Sequence, residues 1–350
     1  MSGSMLAARL HSIGAPLAVE EVPVPAPGPG EVLVRIRACG VCGSDVHMWR
    51  GAVPVRKTPI VLGHEIAGTV AALGPGCEGW RDGDAVIVRA GAGCLGCRPC
   101  RAGRDNLCEK QRVLGMDEDG GFAQYAKAPA ANLMALPEGI PFEVAAILSD
   151  AVATPYHALT DRGGLQPGET VAVFGCGGLG THAVQLARLL GAGAVIAADV
   201  RPGALERATA LGADHVVDAG EGEPVKAIRR LTSDGVDLAL ECVGRAETIA
   251  QAVRSLRSAG RAVVVGMGQE PVSLPPPALF AWREHALLGS FGSTRRDLDA
   301  VVALVASGQL DLSRSISAKL PLSQANRALQ MLERGEGDPV RIVLLPWEEA

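Results

Sequence analysis

Residues 170–199 leave this chain few choices of fold. Thr170-Val171-Ala172-Val173-Phe174 is a continuous apolar run of the kind buried on both faces of a parallel sheet. It leads directly into Gly175-Cys176-Gly177-Gly178-Leu179-Gly180, then a helical stretch from Thr181 to Leu190. A second apolar run, Ala194-Val195-Ile196-Ala197-Ala198, ends at Asp199. A glycine-rich turn between strand and helix lets backbone amides approach a pyrophosphate, and the helix N-terminus favours its charge. Gly175, Gly177, Gly178, Leu179 and Gly180 are the candidate phosphate cradle. Asp199 stands about 20 positions on, where a carboxylate accepts hydrogen bonds from an adenosine ribose. A carboxylate there repels a 2′-phosphate, which favours NAD over NADP. Arg201 would soften that preference, although an exposed surface arginine is its plainer reading.

Further βα units follow. Val236-Asp237-Leu238-Ala239-Leu240-Glu241 is a strand, a helix runs on to Ser258, and Arg261-Ala262-Val263-Val264-Val265-Gly266 is the next strand. This alternation builds a doubly wound sheet. The residues before it read differently. From residue 5 to about 90 short strands are joined by Gly/Pro turns. Glu31-Val32-Leu33-Val34-Arg35-Ile36-Arg37-Ala38 alternates with period two, a half-buried strand that delivers the chain to Cys42. Ile66–Val70, Gly83–Val88 and Gly120–Ala126 read as strands, and a helix from Pro141 to Leu148 ends at Ser149-Asp150. A last helix, Asp297 to Ala306, and a last strand, Val340 to Leu345, return to this first half. At 350 residues two domains are the expectation. The fold class is therefore α/β plus β. The expected division is a catalytic domain, 1–153, a cofactor domain, 154–293, and a return to the catalytic domain, 294–350. A ligand then binds in the cleft between them.

Two cysteine patterns carry the chemistry. Gly40-Val41-Cys42-Gly43-Ser44-Asp45-Val46-His47 places a thiolate ligand, a hydroxyl and an imidazole close together, and Gly63-His64-Glu65 adds an imidazole and a carboxylate. Catalytic zinc takes three protein ligands and keeps an open position. Cys42 and His64 are the first two ligands, and Ser44 and His47 are placed to carry a proton from the open position. Asp150 lies in an apolar stretch, Ala145–Ala153, where a lone carboxylate is costly unless paired or bound to metal. It reads as the third ligand, with a helix cap or a buried hydrogen-bonded Asp as the alternative. Cys94-Leu95-Gly96-Cys97-Arg98-Pro99-Cys100 and Cys108 form a lobe at residues 91–110. Four thiolates at this spacing close a tetrahedral shell around a structural zinc, with an iron–sulfur cluster as the rival.

Composition excludes other classes. With 48% hydrophobic and 20% charged residues the chain is globular. A net charge of -5 offers no footprint for nucleic acid and no polybasic membrane patch. The apolar runs are too short to span a bilayer, and Met1-Ser2-Gly3-Ser4 reads as an appended leader rather than a targeting signal. Of nine cysteines, five fall at metal-ligand spacings, which fits a reducing cytoplasm. Cys39, Cys77, Cys176 and Cys242 are then buried small residues.

The Cys42 loop, Gly63-His64-Glu65, the Cys94–Cys108 lobe and the Gly175–Gly180 turn, in this order, resemble the zinc-dependent medium-chain dehydrogenases of the alcohol and polyol type. The resemblance covers the chain from Met5 onward. It implies a Rossmann cofactor domain inserted into a GroES-like β-barrel catalytic domain. It further implies two zinc ions per subunit, NAD as cofactor, an alcohol or carbonyl substrate, and a homodimer or homotetramer. Cys42 and His64 would hold the catalytic zinc, Ser44 would bind the substrate hydroxyl, and His47 would pass its proton towards solvent. Thr154 would contact the nicotinamide and Arg341 the pyrophosphate. The usual third cysteine ligand is replaced by Asp150, with Glu65 as an alternate ligand. Gly43, often basic in relatives, brings no charge. Trp49, Ala90 and Met116 lie near the motif loops, as cleft lining or as packing. Three rivals are a dehydrogenase of a cyclic hydroxyacyl-coenzyme A, a zinc-free quinone reductase and a non-catalytic NAD- and zinc-binding protein. The first is carried by similarity in Ser149–Tyr156.

Overall fold

The structure is a computed structural model that describes residues 3–348 apart from Ala92 and Leu95, both in the cysteine lobe. Met1 and Ser2 lie outside the described residues, and Ser4 pairs with Pro23 in the first strand. The chain divides into two compact units. One ends at Asp150 and resumes at Thr294, and the other is Ala151–Ser293.

The first unit is built on a mixed seven-stranded sheet. Its path runs Ile316–Pro321, Arg341–Leu345, Glu31–Val41, Glu65–Leu73, Ala85–Val88 and Leu133–Ala135, and Tyr125–Pro129 also pairs with Glu31–Val41. A smaller sheet joins Ala18–Pro23, Ser4–Leu10 and Ile60–Val61. Between them lie Leu10, Val34, Ile36, Ile66, Phe122 and Leu133, all buried. Each such side chain contributes about 1.5–3 kcal/mol by leaving water. The central strand bulges between Leu33 and Val34 and again between Ile36 and Ala38. Such bulges re-aim the strand end, here at Cys42. Two expectations change. The Cys42 segment is not a loop, because Gly43–Trp49 is a helix. Its capping carboxylate, Asp45, offsets the helix-weakening Gly43 and Ser44. The strand expected over Gly120–Ala126 begins only at Tyr125, after a glycine-rich turn.

In the second unit the strands Thr170–Phe174, Ala194–Asp199, His215–Asp218, Val236–Glu241, Leu256–Val264 and Ala286–Gly289 form one parallel sheet. Taken in chain order they lie side by side as third, second, first, fourth, fifth, sixth. This order places a switch point between Thr170–Phe174 and Val236–Glu241, where ligands of doubly wound sheets bind. The helix expected to reach Ser258 stops at Arg254, and the strand starts at Leu256. Leu256 fills the core there, so burial overrides helix propensity.

A further correction concerns Asp150. The helix does not end there. Phe142–Ile147 continues through a π-helical turn, Leu148–Val152, into Ala153–His157 and a second π turn, Ala158–Arg162. The wider π turn holds Asp150 inside a continuous helix, a distortion frequent at functional sites. Among the described residues no helix is long and apolar enough to cross a membrane.

Candidate functional site

Three strands of the first unit bring one cluster together. Glu31–Val41 ends one residue before Cys42, and its Gly40 pairs across to Glu65 at the start of the next strand. A side chain at position 40 would collide with the Glu65 carboxylate, so only glycine admits that carboxylate here. On the other flank Ile342 pairs with Val41, which puts Arg341 beside Cys42. The helical Asp150 completes the set. The ligand atoms of Cys42, His64, Glu65 and Asp150 all lie within 4.8 Å of one another. Asp150 Oδ2 is 3.3 Å from Cys42 Sγ and 3.6 Å from His64 Nε2. Asp150 thus accepts from the Cys42 thiol and faces His64 within the cluster.

The electrostatics of the cluster call for a cation. Glu65 is fully buried, and neither of its carboxylate oxygens accepts an aligned hydrogen bond among the described residues. Burial pushes its carboxyl up to about 8, against the opposing pull of Arg341. Arg341, only 2% exposed, is its counter-ion, with Nη2 at 3.0 Å from Oε1. The sequence expectation set Arg341 on a pyrophosphate. Its protein partners are Glu65, Cys42 Sγ at 3.6 Å and Asp150 at 3.6 Å. Thiol, imidazole and carboxylate are zinc donors, and here their ligand atoms converge within one small volume. The donor set fits a divalent ion.

Asp45 escaped the sequence reading. It is fully buried and accepts from the backbone N–H of Cys42 at 2.8 Å and of Gly63 at 3.1 Å. It therefore ties the two ligand-bearing turns together. Its Oδ1 also lies 3.3 Å from His64 Nδ1. This partner fixes the proton on Nδ1 and turns Nε2 to the cluster. Burial alone lowers the His64 pKa, but Asp45, Asp150 and Cys42 outweigh it and raise it well above the usual value. The available signal was an acid three residues after the helix start, the capping-box position. Asp45→Ala is expected to weaken metal binding at this cluster by about 10- to 100-fold, read by competition against a chelating dye. An unchanged affinity would remove Asp45 from that role.

Ser44 Oγ stands 3.3 Å from His64 Nε2, and His47 lies three residues further along the same helix, half-buried. Trp49 is not cleft lining. It is packed in the core, with its indole N–H donated to Ala15 O at 2.6 Å. Met116 packs against the same core, and Ala90 is half-buried.

In the cysteine lobe the sulfurs of Cys94, Cys97, Cys100 and Cys108 also lie within 4.8 Å of one another. Cys97 Sγ and Cys108 Sγ are 3.9 Å apart, close to the roughly 3.8 Å edge of a tetrahedron with metal–sulfur bonds of about 2.3 Å. The donors fit one zinc. Amides of Gly96 and Cys97 lower the Cys94 thiol to about 6.

In the second unit Gly175 takes φ 84° and a Cβ on Gly180 would strike its carbonyl, so turn and helix meet backbone to backbone. Cys176 N–H donates to Asp199 Oδ2 at 2.6 Å, linking the turn to the end of the next strand. Arg201 is not a bystander. Its Nε lies 3.1 Å from Asp199 Oδ1. Burial works to raise the Asp199 pKa, but Arg201 and the Cys176 amide hold it below the usual range. Glu241, also unforeseen, accepts from Val243 N, Gly244 N and Thr248 Oγ1 and shapes the chain beside Gly175. Thr154 is buried in Ala153–His157. Cys39 and Cys176 are buried as expected, whereas Cys77 and Cys242 are only half-buried. Gly180→Ala is expected to abolish dinucleotide binding and to lower stability by at least about 1–3 kcal/mol through overpacking, read by calorimetry and urea unfolding. Retained binding would show that the turn can shift.

Residues 28–138 match the alcohol dehydrogenase GroES-like domain, and residues 178–307 match the zinc-binding dehydrogenase domain. An alcohol dehydrogenase of Rhizobium meliloti is 38% identical, over 97% of this chain and 98% of that protein. The chain belongs to the zinc-dependent medium-chain dehydrogenases. A sorbitol dehydrogenase of Bacillus subtilis is 32% identical to this dehydrogenase, over 98% of each chain. A Sinorhizobium meliloti 1021 protein solved with NADP bound superposes with a TM-score of 0.91 at 34% identity, over 98% of this chain and all of that one. The two-part architecture, a GroES-like portion with a Rossmann-type parallel sheet, is that of the family.

Proposed function

We propose that this dehydrogenase interconverts an alcohol and its ketone or aldehyde, with NAD as hydride partner and zinc at the Cys42 cluster. The observation that carries the reading is the convergence of Cys42, His64, Glu65 and Asp150. The names of its relatives, alcohol and sorbitol dehydrogenases, support an alcohol or polyol substrate, and a secondary or cyclic alcohol is the narrower reading proposed here.

Cys42, His64 and Asp150 would hold the catalytic ion. Asp150, with its side chain 22% exposed, meets both other donors, whereas Glu65 is buried against Arg341 and stands behind as an alternate ligand. Bound zinc supplies Lewis acidity to the substrate oxygen, and bound NAD supplies the hydride acceptor. The rest falls to the chain. Ser44 Oγ would take the substrate's hydroxyl proton while releasing its own towards His47, three residues on along the same helix. Asp45 keeps the His64 ring in one tautomer. The amides of Gly175–Gly180 and the helix that follows receive the pyrophosphate, with the Asp199–Arg201 pair at the ribose and Thr154 at the nicotinamide. The lobe cysteines would hold the second zinc, which stabilises a loop with little core of its own. All nine cysteines are free thiols, which supports the reading of a cytoplasmic enzyme; a homodimer or homotetramer is the assembly proposed for it.

The test is NADH formation by zinc-loaded protein over primary and secondary alcohols, polyols, cyclic alcohols and a cyclic hydroxyacyl-coenzyme A. Turnover confined to secondary, cyclic or polyol alcohols supports the proposal. Turnover only with the coenzyme A ester moves the substrate to that class. Silence with both NAD and NADP at full zinc content overturns it in favour of a binding protein.

A further inference from the structure

We propose that Arg201 makes the adenosine end of the cofactor site tolerant of a 2′-phosphate, so that NADP is accepted beside NAD. This rests on the reading of Gly175–Gly180 as a dinucleotide turn.

An aspartate at the end of the second strand excludes a 2′-phosphate by charge, provided that its carboxylate faces the ligand. Here it does not. The Asp199 side chain is only 5% exposed, and that of Arg201 is 35% exposed. Four N–H donors already fill the carboxylate. Cys176 N donates to Oδ2 at 2.6 Å, Arg201 N to Oδ1 at 2.9 Å, and the Arg201 guanidinium to Oδ1 at 3.1 Å and to Oδ2 at 3.3 Å. An ionised carboxylate has about four acceptor positions, so all are used inside the protein. An arriving ribose meets the guanidinium first.

Two neighbours strengthen the point. Arg201 Nη2 would lie 3.6 Å from a Cβ on Gly177, so the guanidinium borders the glycine turn itself. Arg207 adds a second cation there, donating to Cys176 O at 3.2 Å and to Thr181 Oγ1 at 3.4 Å. One carboxylate and two guanidiniums give a local charge of +1, where Asp199 alone would give -1.

The rearrangement needed is small. If the guanidinium turns from Asp199 to a phosphate, the carboxylate keeps the amide N–H groups of Cys176 and Arg201. No buried anion is left without donors, which is the costly outcome in breaking an ion pair. The planar fork of arginine also suits phosphate oxygens.

Calorimetric titration of the intact chain with ADP-ribose and with 2′-phospho-ADP-ribose tests this without turnover. Wild type should bind the two within about tenfold of each other. Arg201→Ala should widen that ratio by about 10- to 100-fold, the worth of a charge-assisted contact. Its affinity for ADP-ribose should rise, because the uncovered carboxylate can accept from the ribose hydroxyls. Arg201→Lys should fall between. A wild-type preference for ADP-ribose above about 100-fold, or an equal loss of both ligands in Arg201→Ala, overturns the proposal. Binding of neither ligand by wild type overturns the dinucleotide reading, and this inference with it.

Discussion

Cys42→Ala or His64→Ala should lower kcat by at least about a thousandfold, equivalent to roughly 4 kcal/mol of lost transition-state stabilisation. The reason is geometric. With either side chain gone, two strong donors at most remain around the position between Cys42, His64 and Asp150. A catalytic zinc needs three. Metal analysis should find one ion per chain instead of two, because the four lobe cysteines form a separate group. Dinucleotide affinity should survive, since the Gly175–Gly180 turn and Asp199 belong to the other compact unit. Turnover, metal content and calorimetric NADH binding on the same preparation give the three readings. A variant that has lost the cluster metal yet turns over like wild type would falsify the assignment.

Arg341→Met should cost about 3–5 kcal/mol of stability, the usual consequence of stranding one member of a buried ion pair. Glu65 is fully buried, its oxygens accept no aligned hydrogen bond among the described residues, and the Arg341 guanidinium is its counter-ion. Without that cation the chain must either keep an uncompensated anion in the core or hold Glu65 protonated. Urea unfolding of the metal-stripped protein isolates the effect, because bound metal adds its own stabilisation to the native state. The double variant Arg341→Met/Glu65→Gln should recover most of the loss, as neutral groups of similar volume replace the pair. A loss below about 1 kcal/mol in the single variant, or no recovery in the double, would show that Glu65 is not held by Arg341.

The sites were legible to different depths. In the Gly175–Asp199 stretch, strand, turn, helix and acid are all local, so their order is written in adjacent residues. The lobe cysteines are likewise close in sequence, and a short segment has few ways to space four sulfurs. The Cys42 cluster was harder. Cys42 and His64 are 22 residues apart, but Asp150 lies 108 from Cys42 and Arg341 a further 191 along. Desolvation marked Asp150 as a residue needing a partner, without saying which. Asp45 was missed because the Cys42 segment reads as a loop, where nothing marks one carboxylate as buried. The segment is a helix that Asp45 caps, and only the tertiary structure shows that it also faces His64. Arg341 was assigned by resemblance, and its contact with Glu65 depends on the register of three strands.

The sequence by itself determined the doubly wound half, the cysteine lobe, the donor types at Cys42, His64 and Asp150, and the absence of long apolar spans. Each of these is set by periodicity, spacing or residue chemistry within a short window. Tertiary structure alone decided three further things. Gly40 had to face Glu65 across a strand pair for the carboxylate to fit, and Arg341 had to be the one to neutralise it. Asp150 had to sit inside a π turn rather than at a helix end. Asp199 had to be covered by Arg201, two residues away and on the solvent side. These are matters of register and side-chain direction. A shift of one residue along a strand reverses the face a side chain points to, and composition is blind to that.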